Sequence, residues 1–152
     1  MKISNVIYDD LNIGDSECHT MLLTDKIIRG FAELTGDYNP VHLDENFANN
    51  SIFRKRIGHG LWASSLISTV LGTRLPGAGT IYLEQKLNFL KPVFIGDSVT
   101  AHITLSEKLH KGKVVFECVV TNGDGVDVIS GMAIVLAPSK KVEVEVEVDV
   151  AL

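Results

Sequence analysis

Two periodicities divide the chain. Up to about residue 73 the apolar positions recur at helical spacing, and from residue 79 onward they alternate with polar ones. Residues 18 to 24 read as a short strand. Thr24 and Asp25 then offer N-cap oxygens ahead of Ile27, Ile28, Phe31 and Leu34, which fall at helical spacing. Gly36 is a natural stop for that helix, and Asn39-Pro40 breaks the chain before one or two further helical turns over 44–50. Residues 60 to 73 predict a helix of another kind. Apolar side chains occur nearly all round it and the polar ones are small Ser and Thr, the composition of a buried helix. Beyond it, Ile81, Leu83, Leu87 and Phe89 alternate with polar neighbours. So do Val99, Ala101, Ile103 and Leu105, then Val114, Phe116, Cys118 and Val120, and residues 126 to 136 complete the set. Gly96-Asp97, His110 to Lys113 and Asn122-Gly123-Asp124-Gly125 supply the turns. Long antiparallel strands and one buried helix predict an α+β layer fold with the sheet wrapped round that helix.

The tail alternates strictly from Val142 to Val150. Two readings stand: a further amphipathic strand with valines inward and acids outward, or a solvated extension beyond Pro138-Ser139-Lys140-Lys141. The division is therefore one domain over 1–137 and a tail over 138–152.

A chain of 152 residues fits one domain with a core of useful size. Its net charge is −5, with no basic arm, which argues against a nucleic-acid partner. Such an acidic chain binds a phosphorylated ligand only through a local basic patch. Cys18 and Cys118 stand a hundred residues apart without a CxxC, as free thiols of an intracellular domain do. The N-terminus is too polar for a signal peptide, and no apolar run approaches the ~20 residues of a membrane span. The expected setting is cytoplasmic.

Candidate chemistry concentrates between Phe31 and Ala48. Asp37 and His42 sit five residues apart in a turn stiffened by Asn39 and Pro40, so a proton acceptor lies beside a group that holds or relays protons. Unperturbed, these groups titrate near ~3.9 and ~6.5, and an apolar site around the carboxylate would bring the two closer. Asn39, a candidate for the substrate site, reads as a strut whose amide bonds the turn or orients a catalytic group. A second element is Gly58-His59-Gly60, at the start of the apolar helix. A helix N-terminus offers unpaired N–H groups and a positive dipole end, and Gly60 has no side chain to keep a carbonyl from its own N–H. His59 reads as structural in this setting.

Leu34-Thr35-Gly36-Asp37, Asn39-Pro40, Val41, His42 and Ala48 stand in the order of the hydratase signature, and the segment resembles the MaoC-like, (R)-specific enoyl-CoA hydratase family. The resemblance spans roughly residues 10 to 137 and implies the hotdog fold. It further implies that Asp37 and His42 grip and activate one water, and that the amide of Gly60 is the oxyanion donor. Ser68 matches a family serine bordering the catalytic Asp, whereas Ser64 and Ser65 are left to packing. Arg54, Lys55 and Arg56 form the dense basic cluster and are candidates for the coenzyme A phosphates, with Lys86, Lys91 and Arg74 as alternatives. No His, Cys and carboxylate run has zinc-ligand spacing, and no Gly-rich phosphate loop is present. The implied reaction adds water reversibly and syn to a trans-2-enoyl thioester, giving the (R)-3-hydroxyacyl thioester. It needs no metal or redox cofactor, coenzyme A or acyl carrier protein entering as part of the substrate. The family forms homodimers, and an exposed strand edge invites the same here. A hotdog acyl-CoA thioesterase and a non-catalytic acyl-thioester binding module remain as alternatives.

Overall fold

The computed structural model describes residues 1–148, so the tail beyond Val148 lies outside the described residues. Two strands and four helices precede the long strands. β1 is Lys2–Ser4, β2 is Ser16–Leu22, α1 is Asp25–Thr35, α2 is Pro40–Leu43, α3 is Glu45–Asn49 and α4 is Gly60–Thr73. There follow β3 (Ile81–Phe89), β4 (Ser98–Lys108), β5 (Lys113–Thr121), β6 (Asp127–Leu136) and β7 (Glu143–Glu145).

Five strands make one antiparallel sheet in the order β2-β4-β5-β6-β3. The period-two pattern acts as expected in its middle. Val99, Ala101, Ile103 and Leu105 of β4, with Val114, Phe116, Cys118 and Val120 of β5, bury one face of the sheet. Each of the Val, Ile, Leu and Phe side chains contributes about 1.5–3 kcal/mol by leaving water. That face receives Trp62, Ala63, Leu66, Ile67, Val70 and Leu71 of α4. The β5–β6 turn is the Asn-Gly-Asp-Gly segment, where Asn122 Oδ1 accepts from the N–H groups of Asp124 (3.0 Å) and Val126 (3.1 Å).

Four expectations about faces change in the folded chain. α4 is not covered all round: Leu61, Ser65, Ser68 and Gly72, at spacings of four, three and four, form an open stripe, and Leu61 is 63% exposed. The alternation of β3 does not face the core either. It is an edge strand, a bulge between Tyr82 and Glu84 shifts its register, and Ile81, Leu83 and Phe89 are exposed. Leu34 is 80% exposed although it falls on the helical repeat, because Gly36 ends α1 just beyond it and no element packs there. The tail forms a strand, but not in the main sheet. β7 pairs with β1 in a separate two-stranded ribbon, and Val142, Val144, Val146 and Val148 are exposed rather than inward. Among the described residues no helix is long and apolar enough to cross a membrane.

Candidate active site

α1 delivers the carboxylate. Thr24 caps its start, accepting from Ile27 N–H at 3.2 Å, and Gly36 ends it in the left-handed region at φ 78°. Asp37 therefore stands on irregular backbone, exposed. Local bonds define the turn: Asp37 N–H donates to Thr35 Oγ1, and Asp37 Oδ1 accepts from Asn39 N–H, each at 3.2 Å. Asn39 is the strut expected of it. Its Oδ1 accepts from Val41 N–H at 3.2 Å and caps α2, with Pro40 at the first helical position.

α2 turns His42 inward, where it is buried. Its Nδ1 lies 2.8 Å from the Ile57 carbonyl. A carbonyl only accepts, so Nδ1 carries the hydrogen and Nε2 presents a bare lone pair. Burial lowers the His42 pKa below the ordinary imidazole range, an effect that the Ile57 carbonyl opposes and His59 adds to. At neutral pH His42 is therefore the neutral ring, an acceptor at Nε2.

The segment before α4 holds this turn. Ile57 N–H donates to the Val41 carbonyl at 3.3 Å, and Arg56 Nε–H donates to the His42 carbonyl at 2.7 Å. Arg56 is only 7% exposed, and its guanidinium also reaches Asp25 of α1 at 2.6 Å and Glu45 of α3 at 3.8 Å. His59, 3% exposed, stands at the N-cap position of α4 without a side-chain capping bond and touches both catalytic candidates. Its Nε2 lies 3.1 Å from the Asp37 main-chain carbonyl, and its ring stacks on that of His42 with centroids 3.8 Å apart at 29°.

Folding thus gathers what the sequence keeps apart. One donor atom each from Asp37, His42 and His59 lie within 4.8 Å of one another. The linear spacing paired Asp37 with His42 but gave no sign that His59, from a separate segment, joins them. Two nitrogens of the two rings are already committed to main-chain carbonyls. Such a donor set suits a water better than a metal ion. A water that gives both hydrogens to acceptors about 2.8 Å away needs those acceptors roughly 4.5 Å apart.

Next to His59, Gly60 opens α4 and lines a cavity of about 290 Å³ with Phe53, Gly58, Phe89, Lys91 and Val128. A Cβ on Gly60 would meet the Phe89 ring at 2.8 Å, and one on Gly58 would meet the side chains of Leu23 and Val93 at 2.6 and 2.9 Å. The two glycines thus let the Phe89 ring and the Leu23 and Val93 side chains pack against the backbone at the helix N-terminus, where both line the cavity. Asp37 and His42 do not line the cavity, and the two halves meet only where α4 begins.

A family model described as MaoC like domain matches residues 16–128. The chain belongs to this family. Among its relatives is the 3-hydroxybutyryl-CoA dehydratase of Methylorubrum extorquens, 43% identical over 135 residues that cover 88% of this chain and 85% of that protein. The (R)-specific enoyl-CoA hydratase of Rhodospirillum rubrum is 39% identical, covering 88% and 92%. The unliganded R-hydratase PhaJ1 of Pseudomonas aeruginosa superposes with a TM-score of 0.95 at 37% identity, over 100% of this chain and 98% of that one. The fold is the hotdog fold of these MaoC-like hydratases.

Within this MaoC-like chain the other predicted residues fare unevenly. Ser68 lies on the open stripe of α4, and among the described residues no hydrogen bond joins it to Asp37. Ser64 and Ser65 back-bond to the carbonyls of Leu61 (3.0 Å) and Trp62 (2.6 Å), but Ser65 stands on the open stripe and is not the packing residue expected. The basic triplet divides. Arg54 is exposed, and the Lys55 ammonium sits 4.0 Å from the centroid of the Phe94 ring. Arg56 is not a phosphate contact, since its fork is spent on His42, Asp25 and Glu45. Of the alternatives, Arg74 is bonded to the Cys18 carbonyl and His19, Lys86 is exposed, and Lys91 lines the cavity. Cys118 is buried with its thiol pushed up to about 11, which rules it out as a nucleophile. The roles of Arg56 and His59 were not visible in the linear sequence. Arg56 hid inside a charge run, whereas adjacency to Gly60 was the one available signal for His59.

Proposed function

We propose that this MaoC-like protein adds water reversibly to trans-2-enoyl-CoA, giving (R)-3-hydroxyacyl-CoA, with Asp37, His42 and Gly60 as its machinery. One observation carries the reading: the Asp37 carboxylate and a His42 ring nitrogen lie within 4.8 Å, close to the start of α4, where Gly60 lines the cavity. Asp37 takes one hydrogen of a shared water and His42 Nε2 accepts the other, which holds the oxygen over Cβ. As the C–O bond forms, the alkene electron pair moves onto the thioester oxygen, where Gly60 N–H meets the enolate. The enolate then collapses and a proton passes from the Asp37–His42 pair to Cα on the same face. The sum is one water added, and the thioester bond survives. Each charge that develops has a partner among these groups, so the chain works without a metal or redox cofactor.

The coenzyme A phosphates fall to Lys91, which lines the cavity, with Lys55 and Arg54 exposed nearby in sequence to the α4 start. The chain acts as a homodimer. Ile81, Leu83 and Phe89 of the β3 edge, Leu90 and the open stripe of α4 are exposed and apolar or small, and Asp37 is exposed until something covers it. Two free cysteines suit a cytoplasmic setting. Sedimentation at micromolar concentration is expected to show the dimer, and a stable, active monomer there would refute it.

Product identity tests the activity. In deuterium oxide, crotonyl-CoA is expected to give an (R)-3-hydroxy thioester carrying deuterium at Cα with syn geometry, at a rate that chelator treatment leaves unchanged. Release of free thiol from saturated and unsaturated thioesters alike, without hydration, would replace the reading with a thioesterase. Tight binding without either reaction would make the chain a binding module.

A further inference from the structure

Asp37 and His42 sit on separate short segments, and Asp37 has left helix α1. The side-chain bonds that fix Asp37 run to Thr35 and Asn39, its own neighbours, so they shape the turn without placing it relative to His42. The bond to Asp37 from another element comes from His59, 22 residues on. The same ring lies against His42 at 3.8 Å and against Phe31 of α1 at 4.8 Å, tilted by 52°.

The tautomer says what this ring can do. The Asp37 carbonyl only accepts, so His59 Nε2 carries the hydrogen and Nδ1 is bare. That Nδ1 is sealed from solvent and has no partner. A ring whose donor is committed and whose acceptor is sealed offers nothing to a substrate, and its effect falls on its neighbours.

We infer that His59 is a positioning residue: its Nε2–H holds the Asp37 main chain while its face supports the His42 ring, so that one side chain at the start of α4 sets the gap into which the attacking water fits. The inference rests on the reading that Asp37 and His42 grip that water. It also ties the gap to the oxyanion donor, because Gly60 is the next residue on the same backbone.

The test uses two amides that differ in reach. A glutamine amide nitrogen can stand where Nε2 stands, whereas an asparagine amide ends near Nδ1 and falls short of the Asp37 carbonyl. His59→Gln is expected to keep kcat at least about 10-fold above His59→Asn, with KM for crotonyl-CoA in the two within about twofold, since small misplacement of reacting groups costs kcat steeply. Equal kcat in the two variants, or a difference appearing in KM alone, would overturn the inference. A second readout is independent of activity. In protein labelled at histidine ring nitrogens and aspartate carbonyl carbons, the His42 ring ¹⁵N signals are expected to move in both variants, which lose the stacked ring, and Asn is expected to shift the Asp37 carbonyl ¹³C more than Gln. Unmoved His42 signals would also overturn it. Should wild-type protein fail to hydrate crotonyl-CoA while these shifts appear, the proposed activity fails and the tether stands.

Discussion

Asp37→Asn is expected to lower kcat by at least about 100-fold, the usual cost of removing a general base. The substitution keeps the shape of the side chain. Its Oδ1 can still accept from Asn39 N–H, the bond that defines the turn at 3.2 Å. Asp37 is exposed, so no buried charge is removed and the melting temperature should stay within a degree or two of wild type. KM should also hold, since the carboxylate contacts water rather than the thioester arm. What is lost is the group that takes the proton, because an amide cannot accept one at neutral pH. A variant that turns over at near wild-type rate would sink the mechanism.

Arg56→Met carries the second large effect, mainly on stability. The thioether chain refills most of the volume of the arginine stem, but three polar contacts go at once. The His42 carbonyl loses its 2.7 Å donor, Asp25 loses a 2.6 Å partner and Glu45 a 3.8 Å one. Asp25 is half exposed and keeps Arg29 at 2.9 Å, so its carboxylate is not stranded. The loss should therefore amount to about 2–4 kcal/mol, below the full cost of breaking a sealed ion pair. For a chain of this size that is a fall of roughly 5–15 °C in melting temperature. Activity of the folded fraction should fall in kcat, because His42 is held by this arginine and by Ile57 together. A phosphate contact would behave differently, raising KM for the CoA thioester and leaving stability alone. Thermal unfolding and steady-state kinetics on one preparation separate the two outcomes.

The sequence by itself determined the parts whose physics is local. Gly36 ends α1 because only glycine enters the left-handed region at φ 78° without strain. Asn39-Pro40 caps and starts α2 through bonds spanning two residues, and the strict alternation of β4 and β5 set their inward faces. The order of Asp37, Asn39, Pro40 and His42 could therefore be read directly, along with the family it marks. Which face of an element meets something else was not local. β3 alternates like the other strands, yet it lies at the sheet edge with a bulge, and only strand order decides that. α4 looks buried all round, but the sheet covers one side of it and leaves Leu61, Ser65, Ser68 and Gly72 open. Arg56 belongs to a basic run that sequence logic sends to solvent. It is buried because Asp25 and the His42 carbonyl, 31 and 14 residues away, arrive around it. His59 meets Asp37 and His42 for the same reason: their contact depends on how three segments pack, and side-chain spacing along a chain carries no record of packing between segments.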